Sequence, residues 1–227
     1  MGEAELYGSE ERRKENRKSV LKRLTVVNAI FIVAVIALAG ISVSLFSLAN
    51  DYHDAKYRAQ YVLVDSLIGS MNTAQPNIRG MIDSTDPGSS RLAQSAYADA
   101  NLKEASACAF AISVMYPDGS KESDAFQSVE RAIDQTKYVV FSYNVNLYSR
   151  FVYNNSYYEP NYTINSLYLN VTEQMIVLAD FLFAGMDSSR DWQSSPYSLV
   201  KRMDLDAIEQ ASSQLEETGV LLHSLMP

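Results

Sequence analysis

The sequence predicts an all-α protein, with one N-terminal transmembrane helix followed by an extracytoplasmic bundle of four or five helices. Three observations carry this prediction. Residues 24–48 contain no charged side chain, the chain after them repeats apolar residues at steps of three and four, and no segment alternates as a half-buried strand does. The predicted parts are a cytoplasmic basic tail at 1–23, the transmembrane helix at 24–48 and the bundle at 49–227.

The run at 24–48 is long enough to cross a bilayer. As a helix rising about 1.5 Å per residue it spans roughly 37 Å, more than the roughly 30 Å of a hydrocarbon core. We expect an uncleaved signal anchor. The small residues Ser47 and Ala49 also fit a signal-peptidase site, but the apolar region is about twice the usual length of roughly 7 to 15 residues.

Basic residues are concentrated before the predicted span. Residues 1–23 hold seven Lys or Arg, whereas the first twenty residues after the span hold Lys56 and Arg58. Because cytoplasmic flanks carry the excess of cations, the N-terminus is predicted in the cytoplasm and the C-terminal domain outside the cell membrane.

One side of the span is built from small residues, which let two helices approach closely. Gly40 and Ser44 form the small-xxx-small pair at its centre. The side predicted for helix association comprises Ala37, Gly40, Ser44 and Ser47. The bilayer is thus the first predicted partner, and a second copy or another membrane subunit is the next.

The external part is strongly acidic. Residues 49–227 hold 12 basic and 22 acidic side chains, so this part repels nucleic acid and anionic lipid. Cys108 is the only cysteine in the chain, which excludes an intramolecular disulfide. We expect Cys108 to be a small buried apolar residue.

The first external helix is predicted at 51–71. Its apolar side recurs at steps of four and three: Tyr57, Tyr61, Val64, Ile68 and Met71. Pro76 is expected to interrupt this helix because its ring removes a helical hydrogen bond, and the Asp-Pro-Gly at 86–88 is typical of a turn.

A second helix is predicted to begin at a capping Ser89 or Ser90 and to end near Tyr116. Its inward side consists largely of small residues: Ala98, Ala105, Cys108, Ala109, Ile112 and Met115. The Pro-Asp-Gly-Ser at 117–120 predicts a turn, with Ser120 as the cap of the third helix.

The third helix has the most regular pattern in the chain. Its predicted buried side comprises Phe126, Val129, Ile133, Thr136, Val140, Tyr143 and Leu147. Tyrosines also recur at steps of five from Tyr138, and each step turns the helix by roughly 140°. These tyrosines therefore spiral around the helix, and some of them must be exposed.

Residues 148–163 lose the helical period and gather Tyr and Asn, which predicts the main exposed loop. Its rings suit contact with protein or sugar, or serve only as helix-capping aromatics. A fourth helix is predicted at 164–186, where Glu173 and Asp180 favour a buried core helix over a second span. The last helix, capped by Asp204, has an apolar side of Leu205, Ile208, Ser212, Leu215, Gly219, Leu222 and Leu225.

Motifs for catalysis and for metal binding are not found in the sequence. It has two histidines, no Glu-x-x-His pair, no Cys-x-x-Cys pair and no Gly-rich phosphate loop. We therefore expect no metal, no cofactor and no enzymatic activity.

Three Asn-x-Ser/Thr sequons cluster in or beside the predicted loop. Asn154, Asn161 and Asn170 are accordingly candidate N-glycosylation sites on the outer side, with Asn170 the least accessible because it lies on a predicted helix.

These observations favour a non-catalytic role. The predicted function is a membrane-anchored interaction or structural protein of the cell envelope, with an accessory subunit of a larger membrane assembly as one form of this role. The alternative is a ligand-sensing domain that acts through a partner, since an up-down bundle beside one span resembles the external domains of chemoreceptors. The 23-residue tail is too short for an output domain.

Overall fold

The computed structural model describes residues 3–83, 88–153, 162–187 and 199–226. Side chains are described from Val35 onward, except at isolated positions and helix ends. The described residues form five α-helices and no strand. The helices are α1 (Glu3–Ile82), α2 (Gly88–Ser113), α3 (Lys121–Tyr153), α4 (Tyr162–Asp187) and α5 (Leu205–Ser224), with a 3₁₀ turn (Leu199–Arg202) before α5.

The chain divides into two compact units, Met1–Tyr52 and His53–Pro227. In the first unit the described backbone is helical throughout. Large apolar side chains of this unit are exposed on all sides where they are described: Val35, Leu38, Ile41, Val43, Leu45, Phe46 and Leu48. The helix of the first unit therefore has no apolar core of its own at these positions.

The second unit is an up-and-down bundle. The end of α2 packs near residue 56 of α1, where Lys56 donates a hydrogen bond to the Met115 carbonyl at 2.9 Å. Ser106 of α2 donates to Asp134 of α3 at 2.7 Å, and these residues lie at similar distances from the turn at 117–120, so α2 and α3 run in opposite directions.

Helix α5 runs parallel to α3. Arg131 lies 3.9 Å from Glu216, and Tyr138 packs against His223 further along both helices. Gly219 permits this close approach, because a Cβ at this position would lie 2.7 Å from Cγ of Gln135. Helix α3 is thus in contact with helices before and after it in the chain.

The core is one cluster contributed by all five helices. Every residue of the predicted buried side of α3 is confirmed as buried. On α4, Val171, Met175, Leu178 and Leu182 are fully buried, and on α5 Ile208, Leu215 and Leu222 are. Burial of a large aliphatic side chain contributes about 1.5–3 kcal/mol, so this cluster is the main source of stability.

The predicted interruption at Pro76 is wrong, because α1 continues through it to Ile82. Two side chains next to the proline are hydrogen-bonded within the helix. Gln75 donates to the side chain of Asn72 at 3.2 Å, and Asn77 donates to the Thr73 carbonyl at 2.7 Å. Pro76 is exposed, while the turns on either side bury Met71, Ile78 and Met81. The burial of these residues outweighs the unfavourable helix propensity of proline.

Two helix boundaries and the burial of one residue also differ from the prediction. Helix α2 begins at Gly88, so Ser89 and Ser90 lie inside its first turn and are not its cap. Helix α3 extends to Tyr153, which places the first six residues of the predicted loop in a helix. Tyr61 was predicted on the buried side of α1 and is 40 % exposed.

Two predicted caps are confirmed. The Ser120 hydroxyl accepts from the Ser123 amide at 3.2 Å, and the Asp204 carboxylate accepts from the Ala207 amide at 3.1 Å. The predicted turn before α3 is present as well, with Gly119 at a φ of 74°, where a residue with a Cβ would be strained.

A buried polar cluster joins three helices where α1 ends. Arg91 of α2 is only 2 % exposed, and its Nε donates to the Met81 carbonyl at 2.9 Å. The Tyr143 hydroxyl of α3 donates to the same carbonyl at 2.8 Å and accepts from Nη2 of Arg91. A cation at a helix C-terminus is favourable, since the carbonyls there carry partial negative charge.

The cluster continues into α4 through an aromatic contact. The rings of Tyr143 and Tyr168 meet edge to face, with centroids 5.6 Å apart, and the Tyr168 hydroxyl donates to the Val139 carbonyl at 3.0 Å. Sequence periodicity placed Tyr143 on the buried side, but it gave no signal for a buried arginine.

Among the described residues, one helix is long and apolar enough to cross a membrane, at Tyr162–Met186. The core helix of a soluble protein has the same length and composition, and 39 % of the most apolar stretch here is buried inside the bundle. The side chains at 24–34, which form the first part of the predicted span, lie outside the described residues.

Replacing Tyr143 by Phe is expected to destabilise the bundle by about 1–3 kcal/mol, because the Met81 carbonyl and Arg91 each lose a buried partner. The measurement is the thermal unfolding midpoint of the full chain in mild detergent. Tyr138→Phe is the matched control: Tyr138 is 49 % exposed on the same helix, and its change should stay within about 0.5 kcal/mol. Equal midpoints for the two variants would contradict the role given to the cluster.

Candidate functional site

The outer side of α3 changes character halfway along the helix. Its first half presents charged residues, among them Glu130, Arg131 and Asp134. Its second half presents an uncharged apolar stripe. The apolar stripe comprises Tyr138, Phe141, Val145 and Tyr148, which are 49, 54, 49 and 56 % exposed.

A groove runs beside the apolar stripe, between α3 and the end of α5. It encloses about 250 Å³ and is lined by Tyr138, Phe141, Ser142, Val145, Asn146, His223 and Met226. The rings of Tyr138 and His223 meet edge to face with centroids 4.7 Å apart, and they close one end of the groove. We call this the α3/α5 groove.

The neighbouring residues explain why the groove opens in this half of the bundle. In the other half, ion pairs bridge α3 and α5: Lys121 lies 3.5 Å from Asp206, and Arg131 lies 3.9 Å from Glu216. Beyond Gly219 the α3 residues facing α5 include Ser142 and Asn146, which are too short to fill the space.

The lining of the α3/α5 groove is apolar or neutral apart from His223. Small-molecule sites usually enclose about 300–1,000 Å³ and place a few polar groups around the ligand. The groove is smaller than that, and it opens onto the apolar stripe. This arrangement suits an apolar side chain that another polypeptide inserts.

A second groove lies between α2 and α3 and has a different character. It encloses about 320 Å³, and its lining combines exposed Phe110 and Val114 with Asp118, Glu130 and Asp134. Asp134 accepts from Ser106 and lies 2.6 Å from Lys137. Burial raises the pKa of Glu130, the nearby Asp134 raises it further, and Arg131 and Lys137 oppose this shift.

No group of three His, Cys, Asp or Glu side chains within the described ranges could hold a metal ion. Cys108 is buried, as the sequence predicted. Burial raises the pKa of the Cys108 thiol, and Glu104 adds to that shift. The thiolate, which is the reactive form, is therefore disfavoured at neutral pH.

The predicted site residues lie apart from the α3/α5 groove. Gly40, Ser44 and Ser47 are exposed on α1, and the side chain of Ala37 lies outside the described residues. A Cβ on Gly40 would meet nothing within 4 Å, so that position is open to a partner helix. Association through this side of the helix stays a prediction.

The sequons are only partly described. Asn154 and Asn161 lie outside the described residues, and Asn170 is exposed on α4. The hydroxyl of Thr172 in this third sequon is buried: it donates to the Leu169 carbonyl at 2.7 Å and accepts from Arg79 at 3.2 Å. Glycosylation of these residues stays a prediction.

Comparisons with protein-family models, with curated proteins and with solved structures give no match to this chain.

The apolar stripe was not among the sites predicted from the sequence. It predicted that some tyrosines around α3 are exposed, and Tyr138 and Tyr148 are, whereas Tyr143 is buried. The sequence nevertheless contains a periodic pattern that could have identified the stripe. Positions 138, 141, 145 and 148 repeat at steps of three, four and three, offset from the buried side by part of a turn.

Replacing Glu130 by Gln is expected to raise the unfolding midpoint of the full chain slightly at pH 7. The pKa of Glu130 is higher in the folded protein than in the unfolded chain. Its favourable contribution to the free energy of unfolding is therefore complete at a pH below the pKa of the unfolded chain, and it is lost as the pH rises through the pKa of the folded protein. The gain should vanish below about pH 4, where the carboxyl is protonated in both states.

The control for this measurement is Glu217→Gln, which removes one negative charge from the exposed side of α5. An equal gain in both variants would assign the effect to the net charge of the domain and not to the groove between α2 and α3.

Proposed function

We propose that this protein is a single-pass, membrane-anchored interaction protein of the cell envelope, whose external helical bundle binds another polypeptide. The observation that carries the proposal is the uncharged apolar stripe on α3 beside the α3/α5 groove. The anchor and its orientation are argued from the sequence.

The anchor is assigned to residues 24–48, which contain no charged side chain. The large apolar side chains described within this range are exposed, and Leu38, Val43 and Phe46 are more than 60 % exposed. Apolar surface of this extent is unfavourable in water and favourable in hydrocarbon. Lipid is the environment that these residues fit.

The orientation follows from the distribution of basic residues. With seven Lys or Arg in residues 1–23, the N-terminus is assigned to the cytoplasm and the bundle to the outside. Residues 49–227 carry 22 acidic against 12 basic side chains, so the bundle is repelled by anionic headgroups and should bind protein in preference to lipid.

The apolar stripe stands out against the other exposed apolar residues. On α4, exposed Leu169, Ile176 and Phe183 are separated by Glu173 and Asp180. No charge interrupts the stripe on α3 between 138 and 148. The largest contiguous apolar patch on a soluble domain is often functional, and aromatic residues are enriched at the centres of interaction sites.

A ligand-sensing role receives less support from the geometry. Of the two grooves lined by described residues, one of about 250 Å³ lies below the lower end for small-molecule sites, which is about 300 Å³, and the other, of about 320 Å³, lies just above it. A larger depression of about 530 Å³ is lined by α5 alone, which gives a ligand a single wall among the described residues.

The interaction is tested by the mass of the particle that mild detergent extracts from native membranes. The full chain is expected in a particle larger than one copy, and Phe141→Asp should reduce that particle to the monomer. Tyr97→Asp, which changes an equally exposed aromatic residue of α2, should leave the particle intact. A wild-type protein extracted as a lone monomer would contradict the proposal.

The orientation is tested by labelling intact cells with a membrane-impermeant maleimide. In a Cys108→Ala background, a cysteine at Tyr97 in the bundle should be labelled from outside, whereas a cysteine at Ser9 in the tail should be labelled only after permeabilisation. The reverse pattern would place the bundle in the cytoplasm.

A further inference from the structure

We propose that the outer side of α4 is a second interaction surface, and that it binds a basic amphipathic helix of another polypeptide. We call this surface the α4 face. It comprises Leu169, Glu173, Ile176, Asp180 and Phe183. The α4 face lies on a different helix from the apolar stripe, and its binding does not depend on the role proposed for the stripe.

Helix α4 contains more large apolar residues than the core uses. Among the described residues of the second unit, no other helix exposes as many large apolar side chains. Those of α4 are Tyr162, Leu169, Ile176, Val177, Phe181 and Phe183. A surface helix of a soluble bundle usually presents polar residues on the side away from the core. The excess on α4 therefore favours a partner that covers it.

The α4 face consists of an apolar row and an acidic row. Leu169, Ile176 and Phe183 are seven residues apart and are 43, 37 and 53 % exposed. Glu173 and Asp180, which are also seven residues apart, are exposed between them. Since seven residues make about two helical turns, the members of each row lie nearly in line and about 10.5 Å apart.

The two carboxylates of the acidic row have no basic residue beside them on α4. Residues 162–187 contain no Lys, Arg or His. Elsewhere in the bundle acidic residues lie close to basic ones, as Asp134 lies 2.6 Å from Lys137. Within the described ranges, Glu173 and Asp180 make no ion pair. Their electrostatic complement is therefore open to a cationic partner.

This charge pattern distinguishes between the occupants that an apolar surface can have. Lipid is disfavoured because charged side chains are costly in hydrocarbon. A second copy is disfavoured because its α4 brings two further carboxylates and no basic residue. A nucleic acid is repelled by the same carboxylates. These exclusions leave a polypeptide with basic residues.

A basic amphipathic helix fits both rows at once. Its apolar residues would cover Leu169, Ile176 and Phe183, and Lys or Arg residues at the same spacing would lie against Glu173 and Asp180. Charged residues that flank an apolar seam determine the choice of partner in coiled coils. The acidic row therefore specifies the charge of the partner, which an uncharged surface cannot do.

The test is the binding of two synthetic peptides to the full chain in nanodiscs of phosphatidylcholine, with binding to empty nanodiscs subtracted. The ordered peptide has three heptads, with Leu in one row and Lys in the neighbouring row. The scrambled peptide contains the same residues without that order. The ordered peptide is expected to bind at least about ten-fold more tightly than the scrambled one.

The variants locate this binding on α4. Glu173→Gln combined with Asp180→Gln should weaken binding of the ordered peptide at least about ten-fold. The matched control is Glu209→Gln combined with Glu217→Gln, which removes the same charge from exposed positions of α5 and should keep the tight binding.

Three results would overturn the inference: no binding of the ordered peptide, equal binding of the ordered and scrambled peptides, or an equal loss in the two double variants. The last two would assign the attraction to the net charge of the bundle. Phe141→Asp in the apolar stripe should leave peptide binding unchanged. Failure of the α4 face would therefore leave the proposed function standing, since the particle mass of Phe141→Asp tests that function separately.

Discussion

The helical bundle depends on the hydrogen bonds that other helices make to the C-terminal end of α1. The carbonyl of Met81, the penultimate residue of that helix, accepts from Arg91 of α2 and from Tyr143 of α3. A buried guanidinium costs several kcal/mol unless it is fully hydrogen-bonded, so Arg91 can be buried only where helices converge on it. The cluster therefore specifies which part of α2 and which turn of α3 meet the end of α1, whereas apolar packing alone tolerates shifts in register.

The placement of α3 in the bundle determines which of its side chains are exposed. With Tyr143 held inside, and with Gly219 letting α5 approach Gln135, α3 is rotationally fixed and its opposite side must face outward. The first half of that side carries the charged residues Glu130, Arg131 and Asp134, as an ordinary solvent-facing helix does. The second half instead exposes the apolar stripe of Tyr138, Phe141, Val145 and Tyr148. A stripe displayed on a rigid helix loses little conformational entropy when it binds, which favours a specific partner.

The number of helices and their buried faces were predictable because they follow from the periodicity of apolar residues and from the capping residues at helix ends. The buried side of α3 and the caps at Ser120 and Asp204 emerged correctly, since each rests on local chemistry. The continuation of α1 through Pro76 was not predictable, because burial of Met71, Ile78 and Met81 outweighs a local preference. Arg91 was missed for the same reason: its burial depends on Met81 and Tyr143, which are distant in sequence. The stripe could have been recognised from the sequence, because its own steps of three, four and three are offset from the predicted buried side of α3.

The central claim is that the stripe is covered by protein in the native membrane. Hydroxyl-radical footprinting of the full chain compares the oxidation of Tyr138, Phe141 and Tyr148 with that of Tyr97, all about half exposed or more in the single chain. The account predicts that the three stripe residues are protected in native membranes and become as reactive as Tyr97 after dilution in detergent. Equal oxidation of all four residues in native membranes would contradict it.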